Sequence, residues 1–196
     1  IYLTPSEEGK YVDYFSEANC KEIKNLKLDV LLRHEFRIIK GKILNIPKYG
    51  IWSFHHGDND INRGGPPGFW EIMFNQPVTG VTLQTLNDKL DGGNVIEKGF
   101  YPTKKSFLYN QKFIYEKSVE IIIKNLKLLH LNGLVNSVSS KPYEKAILKT
   151  PRNIFWIFKY SYLLLIVFNN KIKDFFLKFL GYQLNVWTIF FKKGNI

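Results

Sequence analysis

The residues able to do chemistry are concentrated between positions 50 and 99. Ser53-Phe54-His55-His56-Gly57-Asp58-Asn59-Asp60 brings a hydroxyl, two imidazoles and two carboxylates together in one short stretch. If the run arrives on a strand, alternation puts Ser53 and His55 on one face and Phe54 and His56 on the other. A further acid follows in Leu90-Asp91-Gly92-Gly93. Residue types alone leave three uses open. His55 with Asp91 suits acid–base catalysis, because a carboxylate beside an imidazole fixes its tautomer and stabilises its charged form. His55, His56, Asp58 and Asp60 are ligand types for zinc or iron, but adjacent histidines on a strand point apart, which weighs against one ion reaching both. The third use is structural, polar residues packing a loop. Nearby, Arg63 beside Gly64 and Gly65 offers a guanidinium to a phosphate or braces loop carbonyls. Asp58 and Asp60 offer carboxylates to an amine or to sugar hydroxyls, or form a solvated turn.

These groups need elements to hold them. Ser16-Glu17-Ala18 reads as a helix start, running to about Leu26. Leu28 to Leu32 reads as a buried strand, Ile38 to Leu44 as an apolar patch ended by Pro47, and Gly50 to His55 as another buried strand. His56 to Gly68, with five glycines and prolines from Gly64 onward, is a loop. A short helix over Phe69 to Phe74 follows, then strands at Val81 to Leu86 and Asn94 to Tyr101 around a turn at Asn87 to Gly93. Thr103 is placed to cap a helix over 106–130, with Val119, Ile122, Ile123, Leu126 and Leu129 on its apolar stripe. Phe69 and Trp70 read as core. The order helix, strand, patch, strand, hairpin argues for an α/β sheet whose first strands precede Ile1.

The chain has 196 residues, 45% of them hydrophobic and 23% charged, proportions that exclude disorder for most of its length. One cysteine, Cys20, excludes an intrachain disulfide framework and a cysteine-based zinc site. The net charge of +11 is concentrated over 104–193, where acids are confined to Glu116, Glu120, Glu144 and Asp174. Such a face attracts phosphates, acidic lipids or nucleic acid, or is a solvated helix surface. Ile1 to Pro5 is no signal peptide, and the abrupt ends are read as those of a fragment, with a further domain after 196. The apolar run 154–168 is 15 residues long and contains Lys159, too short to span a bilayer. Through residue 181 it continues as a basic amphipathic helix that packs on a neighbouring domain or lies on an anionic membrane surface.

Four sequence elements in order and spacing resemble the folate-dependent formyltransferases, the family of methionyl-tRNA formyltransferase and of nucleotide-sugar N-formyltransferases. They are Leu44-Asn45-Ile46-Pro47-Lys48-Tyr49-Gly50 approaching the strand, Ser53 to Pro67 in gap-free register with the family's Asn-x-His motif and its Arg-Gly-x-x-Pro, then Thr79-Gly80-Val81-Thr82, and Leu90-Asp91-Gly92-Gly93. The resemblance covers roughly residues 10–130. It implies a Rossmann-like α/β fold, a mostly parallel sheet with a C-terminal hairpin. It further implies a catalytic domain over 1–130 and a helical, aromatic and basic extension or linker over 131–196.

The resemblance implies that 10-formyltetrahydrofolate is the donor, with no metal, and that an amine attacks its formyl carbon. His55 takes the position of the family's catalytic histidine and Asp91 that of its aspartate. Ser53 replaces its asparagine, one of two donors to the oxyanion. Phe36, Arg37, Ile38 and Ile39 fall where the family places its folate-contacting loop. Asp58, Asp60 and Arg63 stand where acceptor specificity is set. An amino-sugar conjugate is the favoured acceptor, because the tail 131–181 does not read as the β-barrel of the tRNA enzyme. Alternatives are methionyl-tRNA formylation, formyltetrahydrofolate hydrolysis and a non-catalytic binding module that has lost the asparagine. The expected location is cytoplasmic, with membrane-peripheral contact through 154–181 as the alternative.

Overall fold

The structure, a computed structural model, describes residues 3–8, 11–34, 36–89, 91–135, 137–138, 147–148 and scattered positions from 158 to 175. The chain divides into two compact units, 1–152 and 153–196. In the second unit the described positions are helical and exposed; the rest of the expected amphipathic helix lies outside the described residues. Among the described residues no helix is long and apolar enough to cross a membrane.

In the first unit β1 (Ser6–Glu8) pairs antiparallel with β2 (Val12–Tyr14). Helix α1 (Glu17–Asn25) then starts where Ser16 Oγ accepts the Asn19 N–H at 3.1 Å, as the sequence predicts. The expected strand at 28–32 is confined to β3 (Leu31–Leu32), and the patch at 38–44 divides into β4 (Ile38–Lys40) and a 3-10 turn (Lys42–Asn45). β4 lies parallel to β2. The main sheet has the order β3, β5 (Ile51–His55), β7 (Val78–Thr85), β8 (Val95–Pro102); the chain passes through the short β6 (Asn62–Arg63) and α2 (Phe69–Met73) on its way from β5 to β7. β3 runs parallel to β5, whereas β5–β7 and the β7–β8 hairpin are antiparallel. β6 pairs in parallel with β9 (Ile147–Leu148). The Rossmann-like α/β class and the C-terminal hairpin are as expected, whereas the main sheet is mixed, with one parallel and two antiparallel pairings, rather than mostly parallel.

Helix α3 (Phe107–Asn132) covers one face of that sheet. Trp52, Val81, Leu83 and Ile96 form the core there with Ile114, Ile121 and Leu129 of the helix. The buried stripe is Asn110, Ile114, Ser118, Ile121, Asn125 and Leu129, so Val119 and Ile123, expected inside, are exposed. The displaced stripe holds polar residues that satisfy themselves within the fold. Ser118 Oγ donates to the Ile114 carbonyl, and Asn125 Nδ2 donates to Ile121 O and to Glu97. Asn110 accepts from the Lys104 N–H and donates to Gly68 O. Apolar identity alone therefore finds Leu129, which is buried, and Ile122 and Leu126, which pack against the core, but misses the polar members of the buried face. Thr103 does not cap this helix: the cap position is Ser106, and Thr103 Oγ1 pairs with Thr79 Oγ1 at 2.9 Å.

His56 belongs to this helix-facing layer. Its ring stacks on Phe54 at 5.6 Å and meets Tyr115 of α3 edge-on at 4.7 Å. Burial, helped by the neighbouring charges of His55 and His34, pushes the imidazole down from 6.5 to about 4.

Two predictions follow from the packing. The unfolded chain takes up the His56 proton more readily than the folded one, so this stability is complete above pH 6.5 and is lost as pH falls towards 4. A shift of that size is worth about 3 kcal/mol. Urea midpoints measured from pH 7 to pH 4 should fall more steeply in the wild type than in His56→Phe; parallel curves would contradict the assignment. At Gly93, a Cβ would sit 1.5 Å from the Thr85 carbonyl oxygen, so backbone has to move. Gly93→Ala should cost roughly 2–4 kcal/mol by thermal melt.

Candidate active site

The other face of the β5–β7 pair is polar. Ser53 lies opposite Gln84 and His55 opposite Thr82, so the four side chains share one surface, while Trp52, Phe54 and Leu83 face α3. β5 ends at His55, and the loop after it is tied back to the sheet at three points. Thr82 Oγ1 donates to the Gly57 carbonyl at 2.9 Å, and Lys98 Nζ of β8 reaches Asp58 Oδ1 at 2.9 Å and Asp60 Oδ2 at 2.6 Å. The backbone of Asp58 passes so close to Gly80 that a Cβ there would lie 2.6 Å from the Asp58 nitrogen.

Asp91 reaches His55 from the turn between β7 and β8. It adopts a left-handed conformation, φ 49°, which a short acidic side chain tolerates better than most. Its Oδ2 lies 3.3 Å from His55 Nδ1 and accepts the Gly64 N–H at 3.3 Å. Burial works to raise the Asp91 carboxyl. The hydrogen bond and charge of His55, the Gly64 N–H and the Arg33 charge outweigh it and hold the group below the usual carboxylate range. His55 Nε2 lies 2.8 Å from the Asn62 carbonyl oxygen. Both ring nitrogens thus face acceptors, and only the imidazolium donates to both at once.

Arg33, just after β3, completes the arrangement. Nη1 donates to Ser53 Oγ at 3.1 Å, Nε to the Arg37 carbonyl at 3.1 Å, and Nη2 to the Phe36 carbonyl. Burial draws the guanidinium below its ordinary value, opposed by Asp91 and Asp13, and it remains a cation. Arg33, His55, Gly64, Trp70, Glu71 and Asp91 line a cleft of about 270 Å³. A second, apolar crevice of about 350 Å³, bordered by Phe15, Leu31, Phe36, Ile39 and Ile51, shares Arg33 as a wall.

The structure brings Ser53, His55 and Asp91 to one place, with Ser53 buried behind Arg33 rather than lining the cleft. Phe36 borders the apolar crevice, Ile39 is buried in the core beside α1, and Ile38 is a β4 ladder residue opposite Val12. Arg37 is engaged by Asp13, through Nε at 2.8 Å and its backbone N–H at 2.9 Å. Asp58 and Asp60 pair with Lys98 and do not line the His55 cleft. Arg63 is 3% exposed and donates to the Asn59 carbonyl, the position of a loop brace. Phe69 and Trp70 are core, as expected, and Trp70 Nε1 donates to Gly64 O. Among the described residues no group of three or more His, Cys, Asp or Glu side chains could hold a metal ion. Reasoning from sequence overlooks Arg33, Glu71 and Lys98. Arg33 leaves one signal, a lone cation closing the apolar run Leu28 to Leu32 at the edge where α/β sites form.

No family model matches the chain. Sequence comparison finds the methionyl-tRNA formyltransferase of Prochlorococcus marinus strain NATL2A, 30% identical over 138 residues, 69% of this chain and 38% of the relative. It also finds the bifunctional polymyxin resistance protein ArnA of Wigglesworthia glossinidia brevipalpis, 29% identical over 128 residues, 59% of this chain and 18% of the relative. The chain thus spans well under half the length of these curated relatives. Among solved structures, a sugar N-formyltransferase from Shewanella sp FDAARGOS_354 superposes with a TM-score of 0.54 at 20% identity, covering 68% of this chain and 53% of that one. A variant of HypX from Aquifex aeolicus gives 0.51 at 21%, covering 68% and 24%. The structural likenesses establish the fold, and the sequence relatives add their name to it. In sequence over about two thirds of its length, and in fold, the chain is similar to formyltransferases.

Proposed function

We propose that this protein transfers a formyl group from 10-formyltetrahydrofolate to an amine, with an amino-sugar conjugate as the acceptor class. The observation that carries the reading is the His55–Asp91 pair in a cleft that shares a wall with an apolar crevice. The crevice suits the flat ring system of a folate, with Phe36 and Ile39 on its border and the formyl group directed past Arg33 into the cleft. In this reading 1–130 is the catalytic domain and 131–196 an extension. The amino-sugar preference is supported by the Shewanella neighbour, a sugar N-formyltransferase.

The donor supplies an activated formyl carbon, and the chain's residues do the rest. The incoming amine bonds to that carbon as its carbonyl oxygen gains negative charge. His55, held at Nδ1 by Asp91, gives its Nε2 proton to that oxygen and then takes up the ammonium proton. Using Nε2 for this purpose requires the Asn62 carbonyl to yield its place. Asp91, kept ionised by its surroundings, stabilises the imidazolium before and after that exchange.

The full-length protein, given 10-formyltetrahydrofolate and a panel of amino-sugar nucleotides, should release tetrahydrofolate only when an amine acceptor is present. His55→Ala should lower that rate about 10²–10⁴-fold, and Asp91→Asn should also lower it, chiefly in kcat. Release without any amine would indicate hydrolysis instead. No release, or a His55→Ala protein as active as wild type, would overturn the reading.

A further inference from the structure

Resting on the formyl-transfer reading, we infer that Arg33 is a catalytic residue: its guanidinium is the second donor to the oxygen that becomes negative during transfer. A developing oxyanion beside His55 needs more than one hydrogen-bond donor in a site sheltered from water. Ser53, on the same strand face as His55, is a poor one. Its side chain is 3% exposed, it does not line the cleft, and its Oγ accepts from Arg33 Nη1 at 3.1 Å. Arg33 itself does line the cleft, and it is the one Arg or Lys among the described residues that do. Its guanidinium has five N–H groups, of which Nε, one on Nη1 and one on Nη2 are used on Arg37, Ser53 and Phe36. One N–H on each terminal nitrogen is left for an acceptor. Those three bonds fix the plane of the fork before substrate arrives, the preorganisation that makes such a donor effective. Asp91, close enough to act on the guanidinium charge, and His55 line the same cleft.

The step balances as follows. The amine lone pair forms the new N–C bond, and the carbonyl π pair moves onto oxygen, where Arg33 and His55 hold it. His55 passes its Nε2 proton to that oxygen and then takes up the ammonium proton in its place. As the hydroxyl loses its proton the oxygen pair re-forms C=O, the bond from carbon to the donor's nitrogen breaks, and that nitrogen takes up the released proton.

The inference is tested in the full-length protein with 10-formyltetrahydrofolate and whichever amino-sugar nucleotide gives the fastest release. Arg33→Gln should lower kcat by about 10²–10³ while leaving the KM for the donor within about threefold. Added to Arg33→Gln, Ser53→Asn, whose amide reaches one atom further than the hydroxyl, should recover much of the lost kcat. Arg33→Lys keeps the charge without the fork, and its kcat should fall about tenfold or more. If Arg33→Gln fails to fold, the Arg33→Lys kcat decides alone. A raised donor KM with unchanged kcat would make Arg33 only a brace for the 36–37 backbone and overturn the inference. So would an Arg33→Lys protein with wild-type kcat. Both results leave His55→Ala inactive, whereas failure of the formyl-transfer reading itself shows as an inactive wild type or an active His55→Ala.

Discussion

Everything at this site depends on one constraint, the two-residue period of the β5–β7 pair. Because paired residues share a face, Trp52, Phe54 and Leu83 point to α3 and Ser53, His55, Thr82 and Gln84 to the other side. A one-residue slip would exchange the faces, burying His55 under the helix and exposing Trp52. The apolar face makes such a slip costly, since it would forfeit the burial of Trp52, Val81 and Leu83 against Ile114 and Ile121. The core therefore does more than stabilise: it sets the register that puts an imidazole at the carboxyl edge of β5.

Two loops then converge on that edge by different means. Asp91 is delivered by a left-handed turn, with Gly93 letting the chain pass close to the Thr85 carbonyl. Arg33 is delivered by the short parallel pairing of β3 with β5 and fastened by two carbonyls of the segment that follows. Negative and positive groups thus meet across one small cleft, and each alters the other's protonation.

The fold was largely legible in the sequence because its signals are local. Ser16 as a cap, the apolar run at 50–55 and the turn-rich segment between the hairpin strands each act over a few residues. The buried face of α3, read only in part, shows the limit. Asn110, Ser118 and Asn125 are polar by identity yet buried by position, since backbone and Glu97 oxygens satisfy them, and a reading by hydrophobicity assigns them to solvent. The meeting of His55 with Asp91 was legible because both sit in recognisable motifs. The surroundings were not: Lys98 finds Asp58 and Asp60 across 38 to 40 positions, and Arg33 finds Ser53 across 20, separations that no local pattern encodes.

The bridge from Lys98 to Asp58 and Asp60 also bears on how the cleft meets its visitors. It is sheltered, with the Lys98 side chain 8% exposed, so dissolved salt screens it far less than it screens the surface charges. The segment after β5 is therefore fastened to β8 as part of the sheet's rim. A molecule entering beside His55 meets a wall already in place and forgoes the entropy loss of ordering that segment on arrival. Its affinity is governed by complementarity to a fixed shape.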